Sequence, residues 1–288
     1  MILFVIIGTF VIGHMLILYS IGFEFIKEYW KTFFSKKLFM ALFMPTLIYA
    51  RYEKERLKDK TKVTKFIKEI NIRNFRTSLF ILIILGILDL CKVLYYIKDI
   101  EPLILAFKIT GFIMLWGTIS RGLEIFYAFY KDSIEQLSKK KHQSNLKYYE
   151  RIKLAMTSYI ELIFNYAIFY FVYINLITLY KMDLTTVLIN FKINNVIDAL
   201  YYSVVTITTL GYGDIHPNSN FYDIPIQLAS SAEVINGFIL IIVSFTIYVS
   251  KSLEAQEYNA NENENITDSK TYVITVSEDL KSQQNTAT

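Results

Sequence analysis

The residues best suited to chemistry are Thr208-Thr209-Leu210-Gly211-Tyr212-Gly213-Asp214, in which two glycines alternate with larger residues behind a pair of threonines. A dehydrated cation such as potassium inside a membrane needs oxygen ligands that replace its water, and a ring of backbone carbonyls from several chains supplies them. Gly211 and Gly213 lack a Cβ and reach backbone angles that most residues avoid, so successive carbonyls can turn toward one axis. The Thr209 hydroxyl adds an oxygen at the inner end. Leu210 and Tyr212 then point away from the ion, where an apolar body, and for Tyr212 a hydroxyl, braces the segment. A Gly-x-Gly by itself also fits a tight turn, so the flanking segments decide its meaning.

Upstream, Asn194-Asn195-Val196-Ile197-Asp198 reads as a helix start, with an Asn cap and an acid in the first turn. The helix it opens, from about Val196 to Ile207, is too short to cross a bilayer. It fits a half-membrane helix whose carbonyl end favours a cation. Irregular backbone at membrane depth is tolerated where protein or water surrounds it, as in a pore.

The continuous block from Asp198 to Pro217 resembles the pore region of the potassium-channel superfamily. In that family the block lies between an outer and an inner helix, here Tyr159 to Lys181 and Ile226 to Lys251. The resemblance implies that the carbonyls of Thr209, Leu210, Gly211 and Tyr212, with the Thr209 hydroxyl, line potassium sites, and that Gly213 completes the filter. It places Asp214 at the outer mouth and Tyr201, Tyr202 and Thr208 in support, with Tyr202 bracing Tyr212 from behind. Leu210 stands where the family most often has valine, a change that keeps the carbonyl. Gly237 falls where members often carry a hinge glycine, although close helix packing explains a small residue there equally well.

The elements that must position this segment are read from composition. With 288 residues, 53% of them hydrophobic and gathered into long blocks, the chain reads as an all-α membrane protein. Residues 1–23, 77–97, 103–130, 158–181 and 226–250 each hold a run long enough for a ~30 Å hydrocarbon core. Five transmembrane helices plus a re-entrant pore helix are expected. A sixth candidate span, Leu38 to Ala50, is about 13 residues long and carries Pro45, which suits an interfacial helix better. Three regions follow: an N-terminal membrane region (1–157), a pore domain (158–251) and a polar tail (252–288) expected to be mostly disordered, since it has too little apolar content for a core.

The net charge of +4 is too small to suggest a nucleic-acid partner. The basic residues between Arg51 and Arg76, and those from Lys131 to Lys153, mark two cytoplasmic connections by the positive-inside rule. The N-terminus is then outside and the tail from Lys251 cytoplasmic. The apolar N-terminus has no basic n-region, so a retained helix is expected rather than a cleaved signal. Cys91 is the sole cysteine, so neither an intrachain disulfide nor a zinc cluster is available. No cofactor and no enzyme chemistry are implied, only potassium as the transported ion.

Asp89, Lys92 and Lys108 lie within apolar spans, where charge is expensive. An Asp89–Lys108 pair is one expectation; snorkelling lysines with a backbone or water partner for Asp89 is the other. No span carries arginines or lysines at three-residue spacing, so strong voltage sensing is not expected, and Arg121, alone in its span, reads as an interfacial anchor. One pore segment per chain calls for a homotetramer in the lipid bilayer. Two further readings stay open at this stage: a nonconducting or modulatory subunit of a channel heteromer, and a coupled cation transporter using Asp89 and Lys108 as a proton relay.

Overall fold

A computed structural model describes residues 43–91, 101–137, 144–180, 193–217, 221–254 and 256–257, and the described elements are all helical. The expected first span at 1–23, Lys92, and nearly all of the tail lie outside these residues. The helices are α1 (Pro45–Leu57), α2 (Lys60–Leu90), α3 (Glu101–Leu137), α4 (Tyr148–Tyr180), the short α5 (Val196–Ile207) and α6, a continuous helical stretch over Phe221–Glu254. Among the described residues four helices, α2, α3, α4 and α6, are long and apolar enough to cross a membrane. They contain the described parts of the four later spans expected from the sequence. α1 has 13 residues, about 20 Å of helix, too short to cross.

The basic stretch from Arg51 to Arg76, read from the sequence as a connection, is largely helical. Pro45 opens α1 at its first turn, where a missing N–H costs nothing. Asp59 caps α2: its carboxylate accepts from the Thr61 amide at 2.9 Å and from the Thr61 hydroxyl at 2.7 Å. No glycine or proline interrupts residues 60–76, so the helix runs uninterrupted into its apolar half. At 31 residues α2 is about 46 Å long, which leaves its charged first turns outside a ~30 Å core.

α4 is the central post. Ala167, Tyr170 and Leu162 have no exposed surface, and the core built around α4 takes Leu82 and Leu85 from α2, Leu115 from α3, and Val196, Ala199 and Tyr202 from α5. A second cluster joins Ile125, Leu162, Ile207, Leu240 and Tyr248, so the end of α5 rests on α3, α4 and α6 together.

Charged groups stitch the same helices. Arg121 on α3 meets Glu161 of α4 through Nε to Oε1 at 2.5 Å and a second nitrogen to Oε2 at 3.2 Å. Arg121 also lies 3.4 Å from Glu124, whose carboxylate accepts from the amides of Thr46 (2.9 Å) and Leu47 (3.2 Å) and from the Thr46 hydroxyl. Arg121, expected as an interfacial anchor, is instead the centre of an ion pair with the fully buried Glu161.

Candidate functional site

α5 is held at its first turn by three acceptors. Asn195 takes the cap position, its side chain accepting from the Asp198 amide at 2.8 Å, while Asp198 accepts in return from the Asn194 amide at 2.9 Å. The third comes from another helix: Asp89, next to the end of α2, accepts from the Val196 amide at 3.1 Å. The helix is 12 residues, about 18 Å, or half a membrane.

At its other end the backbone leaves the helix through Thr208, whose hydroxyl donates to the Val204 carbonyl at 2.6 Å. Three positive φ angles then fall at alternate residues: Thr209 (58°), Gly211 (54°) and Gly213 (77°). Leu210 and Tyr212 between them have ordinary negative φ. Alternation of left- and right-handed residues is the pattern that can cancel the usual reversal of direction from one peptide to the next and so turn neighbouring carbonyls to the same side. Gly211 and Gly213 adopt these angles without a Cβ penalty; Thr209 does not, and a β-branched residue at φ 58° is a strained position. The unusual backbone is thus not confined to the glycines. Nothing in the residue type at 209 signals it.

The outer end is tied back to the helix by Tyr201, whose hydroxyl donates to Asp214 at 2.9 Å. Tyr202 faces inward: its hydroxyl shares a hydrogen bond with Ser230 at 2.9 Å, and its ring packs edge-on against Tyr170 at 4.8 Å. Leu210 and Tyr212 are 58% and 67% exposed in the single chain, so the surroundings expected to brace them are not supplied by their own subunit. Gly237 lies against the end of α5. A Cβ there would stand 2.9 Å from Ile207 Cγ1 and 3.1 Å from the Ile207 carbonyl oxygen. Asp89 has the backbone partner at Val196 described above; Lys108 is half-buried on α3.

Sequence reasoning passed over one group behind the filter. Glu233, fully buried on α6, accepts from Ser203 Oγ at 2.5 Å and from the Tyr170 hydroxyl at 2.7 Å. The signal was a carboxyl inside an apolar span, the same signal that drew attention to Asp89. Among the described residues no cluster of three or more His, Cys, Asp or Glu side chains is suited to holding a metal ion.

Residues 161–253, about a third of the chain, match a family described as an ion channel. A 50-residue stretch is 44% identical to Two-pore potassium channel 1 of Arabidopsis thaliana, covering 17% of this chain and 13% of the plant protein. No solved structure matches. The matched family, the plant relative and the Gly-Tyr-Gly-Asp motif behind a 12-residue helix all support a kinship of this part of the chain with the potassium-channel superfamily.

Proposed function

We propose that the chain is one subunit of a potassium-selective channel, a homotetramer that conducts potassium passively through a fourfold pore lined by the carbonyls of Thr209, Leu210, Gly211 and Tyr212. The observation that carries this reading is the alternation of positive φ at Thr209, Gly211 and Gly213, a backbone pattern that allows successive carbonyl oxygens to line one side of the strand. One strand gives one side of a cage. Four are needed to surround an ion.

The surface beside that strand supports the same conclusion. Leu228 (65% exposed), Ile235 (55%), Phe238 (50%) and Ile242 (52%) form an exposed apolar strip along α6. Three further copies of the chain would cover them, and would supply the packing that Leu210 and Tyr212 lack in one subunit. The basic turns of α1 and α2 suit the cytoplasmic side, which puts the outer mouth and Asp214 outside. Without a ladder of basic residues, the channel opens with little voltage dependence of its own.

Purified protein in planar bilayers, with unequal potassium and sodium on the two sides, tests the proposal. The reversal potential should lie near the potassium equilibrium value. A reversal near the sodium value, or no current from an intact tetramer, overturns it.

A further inference from the structure

The inner helix meets the pore helix along one line. Ser230, Glu233 and Gly237 are spaced three and four residues apart and so share a face of α6. Each faces a successive point on α5: Ser230 Oγ is 2.9 Å from the Tyr202 hydroxyl, Glu233 Oε1 is 2.5 Å from Ser203 Oγ, and Gly237 abuts Ile207. Two of the three also reach a third helix: the Tyr170 hydroxyl of α4 lies 3.2 Å from Ser230 Oγ and donates to the second oxygen of Glu233 at 2.7 Å. Both carboxyl oxygens of a side chain with no exposed surface are therefore occupied by hydroxyls from two different helices. A buried carboxyl is costly unless its hydrogen bonds are made, so this geometry holds the three helices in one relative placement.

Ser203 is one helical turn before Ile207, and Ile207 is two residues before Thr209. α5 is a single helix as far as Ile207, so a shift at Ser203 is passed along it to the cap residue Thr208 that precedes the first filter carbonyl. We infer that Glu233 is a positioning residue for the filter: by gripping Ser203 and Tyr170 it sets the depth of the pore helix, and hence the spacing of the Thr209–Tyr212 oxygens around the ion. The inference rests on the channel reading above. The side chain does not touch the ion; it acts through Ser203.

The replacements that separate positioning from mere bulk are Glu233→Gln and Glu233→Leu. Glutamine has the same reach. Its carbonyl oxygen accepts from Tyr170, and its amide donates to Ser203, whose own hydrogen can turn to the Ile163 carbonyl 2.9 Å away. Leucine fills the space with no hydrogen bond at all. Reversal potentials of the full-length tetramer in bilayers should give a potassium-to-sodium permeability ratio near wild type for Glu233→Gln and about tenfold lower for Glu233→Leu, the effect of losing one or two buried hydrogen bonds. Ser203→Ala, a milder change on the other side of the contact, should lower the ratio in the same direction, and should add little when combined with Glu233→Leu. If Glu233→Leu does not assemble, Ser203→Ala alone decides. A wild-type ratio in an assembled Glu233→Leu tetramer, or in Ser203→Ala, overturns the inference while leaving the channel itself standing. Absence of potassium selectivity in the wild-type protein overturns both.

Discussion

The Asp89 carboxylate accepts the amide hydrogen of Val196 at 3.1 Å, which makes the C-terminal end of α2 part of the cap on α5. The two residues are 107 positions apart in sequence. The helix so capped is also the one whose far end leads into Thr209–Gly213, so an element of the N-terminal region helps to fix the proposed filter.

This relationship predicts a difference between two replacements of Asp89. Asparagine keeps an acceptor oxygen at the right reach and caps nearly as well as aspartate, whereas alanine leaves the Val196 amide without it and should cost about 1 kcal/mol. Thermal unfolding of the detergent-solubilised protein should therefore place Asp89→Asn close to wild type and Asp89→Ala clearly below it. An ion pair with Lys108 as the main role of Asp89 predicts no such gap, with the loss of charge in Asp89→Asn costing as much as the loss of the whole side chain.

The contrast between Asp89 and the filter helix shows how far the residues could be read in advance. The Asn195 cap, the bounds Val196–Ile207 and the Gly211-x-Gly213 pattern are local signals, and local backbone preference is written in the types and order of neighbouring residues. A carboxyl in an apolar span is legible as an anomaly, but its partner is chosen by tertiary packing. For Asp89 that partner is a backbone amide, for Glu161 it is Arg121, and for Glu233 it is a pair of hydroxyls. None of these partners is suggested by sequence spacing. Thr209 fails in the other direction, because its residue type argues against the positive φ that it adopts.

Arg121 and Glu161 yield a second prediction. Glu161 has no exposed surface, so removing the guanidinium leaves a carboxylate enclosed without its counter-charge, a loss of about 3 to 5 kcal/mol for buried pairs. Arg121→Met should therefore reduce stability sharply. Adding Glu161→Gln to it should restore much of the loss, because the second change removes the charge that the first had stranded. A double-mutant cycle on unfolding free energy measures this coupling. Strict additivity of the two changes would mean that the contact does no more than fill space.

Lys54 carries the pH prediction. It sits on α1, outside the spanning helices, in a cavity of about 200 Å³ shared with Asp132, Arg151 and Tyr248. Burial lowers its ammonium below the usual lysine value of 10.5, and the nearby Asp132 opposes but does not cancel that effect. Between its folded value and 10.5 the unfolded chain holds more protons at this site than the folded one, so stability contributed here rises as pH rises through that window. At neutral pH the folded protein bears the full cost of the buried charge. Lys54→Met should then unfold at higher temperature than wild type near pH 7, and the advantage should shrink as the pH approaches 10.5.

Gly237 offers the sharpest test of what the inner helix does beside the filter. By helix propensity alone, alanine should stabilise α6 by about 1 kcal/mol at this position. The added Cβ, however, meets Ile207 Cγ1 at 2.9 Å and the Ile207 carbonyl oxygen at 3.1 Å. The side chain can give way, but the carbonyl belongs to the last turn before Thr209 and cannot retreat without moving the filter. Overpacking of this kind costs about 1 to 3 kcal/mol, which outweighs the propensity gain. Below Gly237 the hydrogen-bond pattern of α6 widens: residues Ile239–Phe245 form a π-helical stretch, where Ser244 Oγ donates to the Ile239 carbonyl five residues back at 2.9 Å and meets Ser133 of α3 at the same distance. The regular helix is thus clamped to the pore helix above and departs from α geometry immediately below. Gly237→Ala should lower both thermal stability and potassium selectivity. If Gly237 served only as a bending point, Gly237→Ala would change the fraction of time the pore is open and leave stability and the permeability ratio at their wild-type values.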